Sequence, residues 1–139
     1  MEAPVSVDSL LDRVREIAPI IREHAASAEQ ERRLARPVVD AMVKAGLFRL
    51  WTPKAFGGLE VDPMTAFRVF EEVSRLDSAA GWNLQLATGV VPNLAWFPDE
   101  GAAEIFSKTP DVILGEPCIR QGKPSPSRVG TAWPDDGRL

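Results

Sequence analysis

The chain has 139 residues, 45% of them hydrophobic and 26% charged, the profile of a single ordinary globular domain. Sixteen Lys and Arg against twenty Asp and Glu leave a net charge of −4, which argues against nucleic acid as a partner, because phosphate binding needs a basic face. One cysteine, Cys118, rules out an internal disulfide and a Cys-rich zinc site.

In chain order, the first residues carry neither a basic n-region nor an apolar h-region. No stretch approaches the ~20 apolar residues of a membrane span. A cytoplasmic protein with no membrane partner is expected. Ser6 is placed to cap a first helix whose stripe is Val7, Leu10, Leu11, Val14, Ile17, Ile20 and Ile21, with Asp8 and Ser9 as neighbouring cap candidates. Pro19 lies inside that stripe, so a kink or two abutting helices is expected there. Glu29, Gln30, Glu31, Arg32 and Arg33 read as a solvated helix end. Pro37 opens a second helix that Gly46 stops. The following segment, residues 47–58, is apolar but punctuated by Pro53, Gly57 and Gly58, and its aromatics are expected to pin a connection onto the core. Asp62-Pro63 is a cap followed by a first-turn proline for a third helix, with Met64, Phe67, Phe70, Val73 and Leu76 on its apolar stripe. Asp77-Ser78 caps a fourth helix over residues 79–88, which Gly89-Val90-Val91-Pro92 ends. A short segment at 93–97 leads to a last helix from Pro98-Asp99-Glu100 through Phe106. Beyond Thr109-Pro110, Val112-Ile113-Leu114 has strand propensity, and from Gln121 the Pro- and Gly-rich residues lose all pattern. The fold class is mainly α: an N-terminal bundle of five to six helices over residues 1–109, the first strand of an incomplete β-domain over 110–123, and an irregular tail over 124–139.

Catalytic material is sparse, and no catalytic residue or metal ligand is assigned. His24 stands on the first helix between Glu23 and Ala25 and reads as an ordinary helix-surface residue. Cys118 has no base near it in sequence, and Glu71-Glu72, being adjacent on a helix, point to different faces. Gly57-Gly58 lacks the Gly-Lys-Ser/Thr of a phosphate loop. Arg120 and Lys123 are too few for an anion site.

The order of motifs carries more. Residues 45–53, Ala-Gly-Leu-Phe-Arg-Leu-Trp-Thr-Pro, then Phe56-Gly57-Gly58-Leu59-Glu60-Val61-Asp62-Pro63, then residues 71–84 with Asp77-Ser78-Ala79-Ala80-Gly81-Trp82, resemble the N-terminal helical domain of the acyl-CoA dehydrogenase superfamily. They look most like the branch shared with the oxygenase components of two-component flavin monooxygenases. The resemblance runs from about Leu10 to Lys123. It implies a three-part architecture: this helical domain, a middle β-domain and a C-terminal four-helix bundle. FAD or reduced flavin lies between the last two, and the full-length protein is expected to form a homo-oligomer. A glutamate of that bundle is the dehydrogenase base, and no position of this chain matches it.

The resemblance further implies that the Gly81-to-Thr88 helix lines a substrate pocket, which puts Asn83, Leu84, Ala87 and Val91 beside an acyl-CoA or an aromatic small molecule. For these four, ordinary helix-packing core is ranked ahead of that pocket role. Ile113-Leu114-Gly115-Glu116-Pro117 resembles a first strand ending in Thr-Glu-Pro, with backbone contacts to flavin from Leu114, Gly115 and Glu116. Gly115 replaces the threonine, and the Gly-Ser-Asp that follows in the family is missing. Many flavin hydroxylases of the superfamily carry a histidine eight residues after the Gly-Trp tryptophan, where this chain has Val90. That departure places an FAD-dependent acyl-CoA dehydrogenase first, a flavin-dependent hydroxylase second, and a non-catalytic helical remnant or interaction module third. As an isolated fragment the chain is expected to be inactive, to retain no flavin, and to associate through surface left for missing domains.

The tail adds one more expectation. The family continues past Gly122-Lys123 with Ala-Val-Pro-Val-Asp/Glu-Gly-Gly-Tyr-Arg and then Gly-Arg-Trp-Pro-Phe. Back-translated with permitted codons and read one base earlier, residues 124–139 become Ala-Val-Pro-Val-Glu-Gly-Gly-Tyr-Arg-Leu-Ala-Gly-Arg-Trp-Pro-Phe. The reading frame is therefore expected to slip near Lys123. Sequencing the locus from the Gly115 codon downstream should show that a single base restores a continuous β-domain; unrelated DNA in that frame rejects the slip.

Overall fold

The computed structural model describes residues 5–96 and 98–113. Five α-helices, α1 (Val7–Glu31), α2 (Arg36–Lys44), α3 (Pro63–Leu76), α4 (Ser78–Gly89) and α5 (Asp99–Phe106), alternate with 3-10 turns at Leu47–Arg49, Lys54–Phe56 and Val91–Trp96.

The helix starts follow local hydrogen-bond chemistry. The Ser9 N–H donates to Ser6 Oγ at 3.2 Å and the Ala80 N–H to Asp77 Oδ2 at 2.8 Å. At α3 the Thr65 N–H donates to Asp62 Oδ1 at 3.1 Å and the Thr65 hydroxyl to Oδ2 at 2.6 Å. These bonds, the Thr65 hydroxyl first, hold the Asp62 carboxyl below its ordinary pKa. The cap therefore supports α3 above the ordinary carboxylate range and is lost as pH falls through the lowered pKa. Asp77 ends α3 and begins α4 in one extended residue (φ −156°, ψ 122°), so the two helices are joined with almost no loop.

Two helix expectations change. Pro19 does not divide α1 into two abutting helices: Val7–Glu31 is one helix with Pro19 inside. Pro19 and Arg15 are both exposed, so water can satisfy the carbonyl that the missing N–H leaves free. On α3, Met64 and Phe67 are not core: they are 66% and 48% exposed, while Ala66, Val69, Phe70 and Val73 face inward. The α3 sequence holds two overlapping apolar stripes, and the one with small residues packs against α1 and α4. The strand expected at Val112-Ile113 is also absent among the described residues, where residues 111–113 have no regular structure; a strand needs a ladder partner, and none is supplied there. Leu114 and the tail fall outside the described residues.

The main core joins Leu10, Val14 and Ile21 of α1 to Val38 and Met42 of α2, the inward face of α3, and Ala80, Leu84 and Ala87 of α4. Each fully buried large aliphatic contributes about 1.5–3 kcal/mol. A smaller cluster gathers Val91, Leu94 and Phe106, with Trp51, Phe56, Ile105 and Val112 against it. The connection from α2 to α3 closes on itself, with the Leu59 N–H on the Arg49 carbonyl at 2.9 Å and the Val61 N–H on the Leu50 carbonyl at 2.9 Å. Leu47, Phe48 and Leu50 are buried beneath it, as the aromatic-rich sequence implies.

Where α3 meets α4, a Cβ on Gly81 would lie 2.0 Å from Ser74 Oγ and 2.8 Å from Ser74 Cα. A side chain there must push the two helices apart. Gly81→Ala should destabilise the chain by about 1–3 kcal/mol, read as a lower urea midpoint with an unchanged slope. An unchanged midpoint rejects the close contact.

Candidate functional site

The helix assigned to a substrate pocket, α4, carries apolar residues on two opposite faces, with exposed Asn83 and Gln85 between them. Leu84 is fully buried in the main core and Ala87 nearly so. Asn83 is exposed, its side-chain amide donates to the Ala79 carbonyl at 2.8 Å, and it borders a groove of about 430 Å³ with Ala28, Arg32, Arg33 and Leu34. Val91 is buried in the smaller cluster and lines a different cavity of about 210 Å³, walled by Trp51, Phe56, Leu94 and Phe106 with Asp99 as its one charge. The four residues singled out from the sequence therefore do not converge: two pack inside the bundle, and two border separate cavities. Leu114, Gly115 and Glu116, the expected flavin contacts, lie outside the described residues.

The large apolar side chains that α4 offers outward are Trp82 and Leu86, one turn apart and 59% and 37% exposed. On α3 the outward apolar pair is Met64 and Phe67. Phe67 is held edge-on by Trp51 at a ring separation of 6.1 Å, and Trp51 also meets Phe70 at 5.5 Å. Trp96, at the end of the last 3-10 turn, is 90% exposed. The readings of α4 as core or pocket lining overlooked Trp82 and Leu86. The signal was present in the alternation Trp82, Leu84, Leu86: a helix apolar on two opposite faces is one that expects cover on both sides.

Acid–base equipment is thin. Glu71 and Glu72 are paired with Arg75 on the surface of α3, at 2.6 Å and 3.4 Å. His24 is half-buried on α1, and Cys118 lies outside the described residues. No group of three or more His, Cys, Asp or Glu suited to a metal ion occurs among the described residues. Among those residues, too, no helix is long and apolar enough to cross a membrane. A third groove, of about 620 Å³ between α1 and α2, has an Ile17, Ile20 and Ala41 floor with Arg13, Glu16, Asp40 and Lys44 at its rim. The arrangement supplies apolar and aromatic walls; it does not assemble a nucleophile, base or metal centre.

Residues 7–103 match the family model described as acyl-CoA dehydrogenase, N-terminal domain. The chain is 35% identical over 107 residues to indole-3-acetate monooxygenase of Pseudomonas putida, covering 77% of this chain and 26% of that protein. It is 29% identical over 119 residues to the oxygenase component of p-hydroxyphenylacetate 3-hydroxylase from Acinetobacter baumannii, covering 86% and 28%. Among solved structures, XiaF from a Streptomyces species, determined with FADH2 and glycerol, superposes with a TM-score of 0.75 at 30% identity over 77% of this chain and 27% of XiaF. The chain thus spans about a quarter of the length of the curated relatives it matches.

If the outward apolar residues of α4 are an unfinished surface rather than part of the core, Trp82→Ser with Leu86→Ser should lower binding of a hydrophobic dye markedly. The unfolding free energy should move by no more than about 0.5 kcal/mol. A large loss of stability would place these side chains in the core instead.

Proposed function

The chain belongs to the acyl-CoA dehydrogenase N-terminal domain family, and on that premise we propose that it is the N-terminal part of the oxygenase component of a flavin-dependent monooxygenase acting on an aromatic small molecule. The observation that carries this reading is the 35% identity to a monooxygenase over 77% of the chain. The other relatives described above are an oxygenase component and a protein solved with reduced flavin. Acyl-thioester dehydrogenation, ranked first from the sequence, rests on the domain alone. That domain is a scaffold, and a scaffold does not fix the reaction.

In this reading α4 is a wall of the substrate chamber. Trp82 and Leu86 give an aromatic ring apolar contact, while Leu84 and Ala87 act from behind by seating α4 on α1 and α3. Val91 lines the adjoining cavity, and Asn83 stands at the outer edge. Val90, where many hydroxylases of the superfamily carry histidine, gives apolar contact and no proton transfer at that point. The described residues do not hold a flavin on their own: its phosphates need cations or N–H donors, and none of the three cavities combines these with an aromatic wall. Leu114, Gly115 and Glu116 are proposed to meet it through their backbone. Reduced flavin supplies the activation of dioxygen, and a separate flavin reductase is the proposed partner that delivers it.

The test is to express the locus through its downstream region and supply FAD, NADH and a flavin reductase in air. Phenolic and indolic acids are then offered beside acyl-CoA thioesters with a dye acceptor. Hydroxylated aromatic product is expected. Thioester oxidation without hydroxylation overturns the reading in favour of the dehydrogenase.

A further inference from the structure

Five of the six ion pairs among the described residues are surface pairs between residues two to four apart. The sixth is different in kind. Arg49, in the α2–α3 connection, grips Asp111 with two parallel bonds, Nε to Oδ1 and Nη2 to Oδ2, across 62 residues of sequence. The Arg49 side chain is 35% exposed and that of Asp111 only 12%. The bonds to Asp111 raise the Arg49 pKa above its ordinary value, despite partial desolvation. Such a fork-to-fork pair specifies orientation as well as energy.

Three further contacts act on the same segment. The Asp111 N–H donates to Thr109 Oγ1 at 3.1 Å, which turns the chain just after α5. Pro110 lies against Gly57, where a Cβ would come within 3.4 Å of the Pro110 Cβ. Val112 packs against the smaller cluster of Val91, Leu94 and Phe106. At both ends the clasp is anchored in rigid chain. Arg49 is flanked by buried Phe48 and Leu50, and its carbonyl receives the N–H groups of Thr52 and Leu59.

We propose that Arg49 is a positioning residue: through Asp111 it fixes the direction and register in which the chain leaves the helical domain. Leu114, Gly115 and Glu116 follow Asp111 by three to five residues in the sequence. The inference deepens the proposed function, and rests on it for the role of those residues: a side chain of the helical domain aims the segment proposed to meet the flavin. The helical domain then does more than wall the substrate chamber, because it also sets where the cofactor-facing backbone begins.

The exit geometry can be tested in the present chain, independently of any activity. Amide hydrogen exchange is measured for wild type, Arg49→Gln, Asp111→Asn and the reversed pair Arg49→Asp with Asp111→Arg. Each single variant should speed exchange of the Asp111 amide, which donates to Thr109 Oγ1, by about tenfold or more while α1 to α4 keep their protection. The reversed pair should recover part of that protection. Unchanged exchange of that amide, or a uniform rise across all helices, overturns the proposal. So does a reversed pair no better protected than Arg49→Gln or Asp111→Asn. A failed hydroxylation assay beside local loss and recovery of protection would overturn the proposed reaction and leave the clasp standing.

Discussion

The α2–α3 connection is the constraint on which the rest of this domain depends. Its backbone folds back on itself through the Leu59-to-Arg49 and Val61-to-Leu50 bonds, and the Glu60 N–H reaches the Thr52 carbonyl at 3.1 Å. Gly58 is what allows that closure, since a Cβ there would fall 1.8 Å from the Thr52 carbonyl oxygen. The same closure buries the Thr52 hydroxyl with no hydrogen-bond partner among the described residues, a cost of about 1–3 kcal/mol that the surrounding packing must offset. Trp51 then stands between the two hydrophobic clusters and touches both. Loosening this connection would free the start of α3, the floor of the smaller cavity and the anchor for residues 109–113 at once.

Packing is complete on one side of the domain's helices and incomplete on the other. Where α3 meets α4, small residues bring backbones close, and Gly81 admits Ser74 without a gap. On their outward edges the same helices hold Met64, Phe67, Trp82 and Leu86 in water. Apolar side chains of this size are rarely left uncovered in adjacent positions without a partner. The chain spans about a quarter of the length of the curated relatives it matches, and the uncovered apolar edge is on α3 and α4.

Under the proposed function, that asymmetry is what the helical domain has to offer. Within its described residues the chain contributes no base, nucleophile or metal site. It contributes shape, apolarity and direction: an aromatic edge on α4, a small cavity beside Val91, and a clasped exit at Asp111. These are the contributions a helical domain can make to a reaction whose reactive group is carried by a cofactor.

The sequence by itself determined whatever depends on hydrogen bonds within a few residues. Ser6, Asp62-Pro63 and Asp77 announced three helix starts, and each cap bond reaches only three positions along the chain. The ordered motifs around Gly57-Gly58 and Gly81-Trp82 announced the superfamily. Tertiary structure alone decided which apolar stripe of α3 turned inward, because two stripes compete and only the neighbours α1 and α4 discriminate between them. It decided that Pro19 would lie on the solvent side of an unbroken helix, and that Asn83, Leu84, Ala87 and Val91 would be dispersed among core and separate cavities. It also made the Arg49–Asp111 clasp, since two charges 62 residues apart have no reason to meet until the connection between them has folded. Local chemistry is written in the order of residues, whereas the choice of faces and of distant partners is made only when the helices pack.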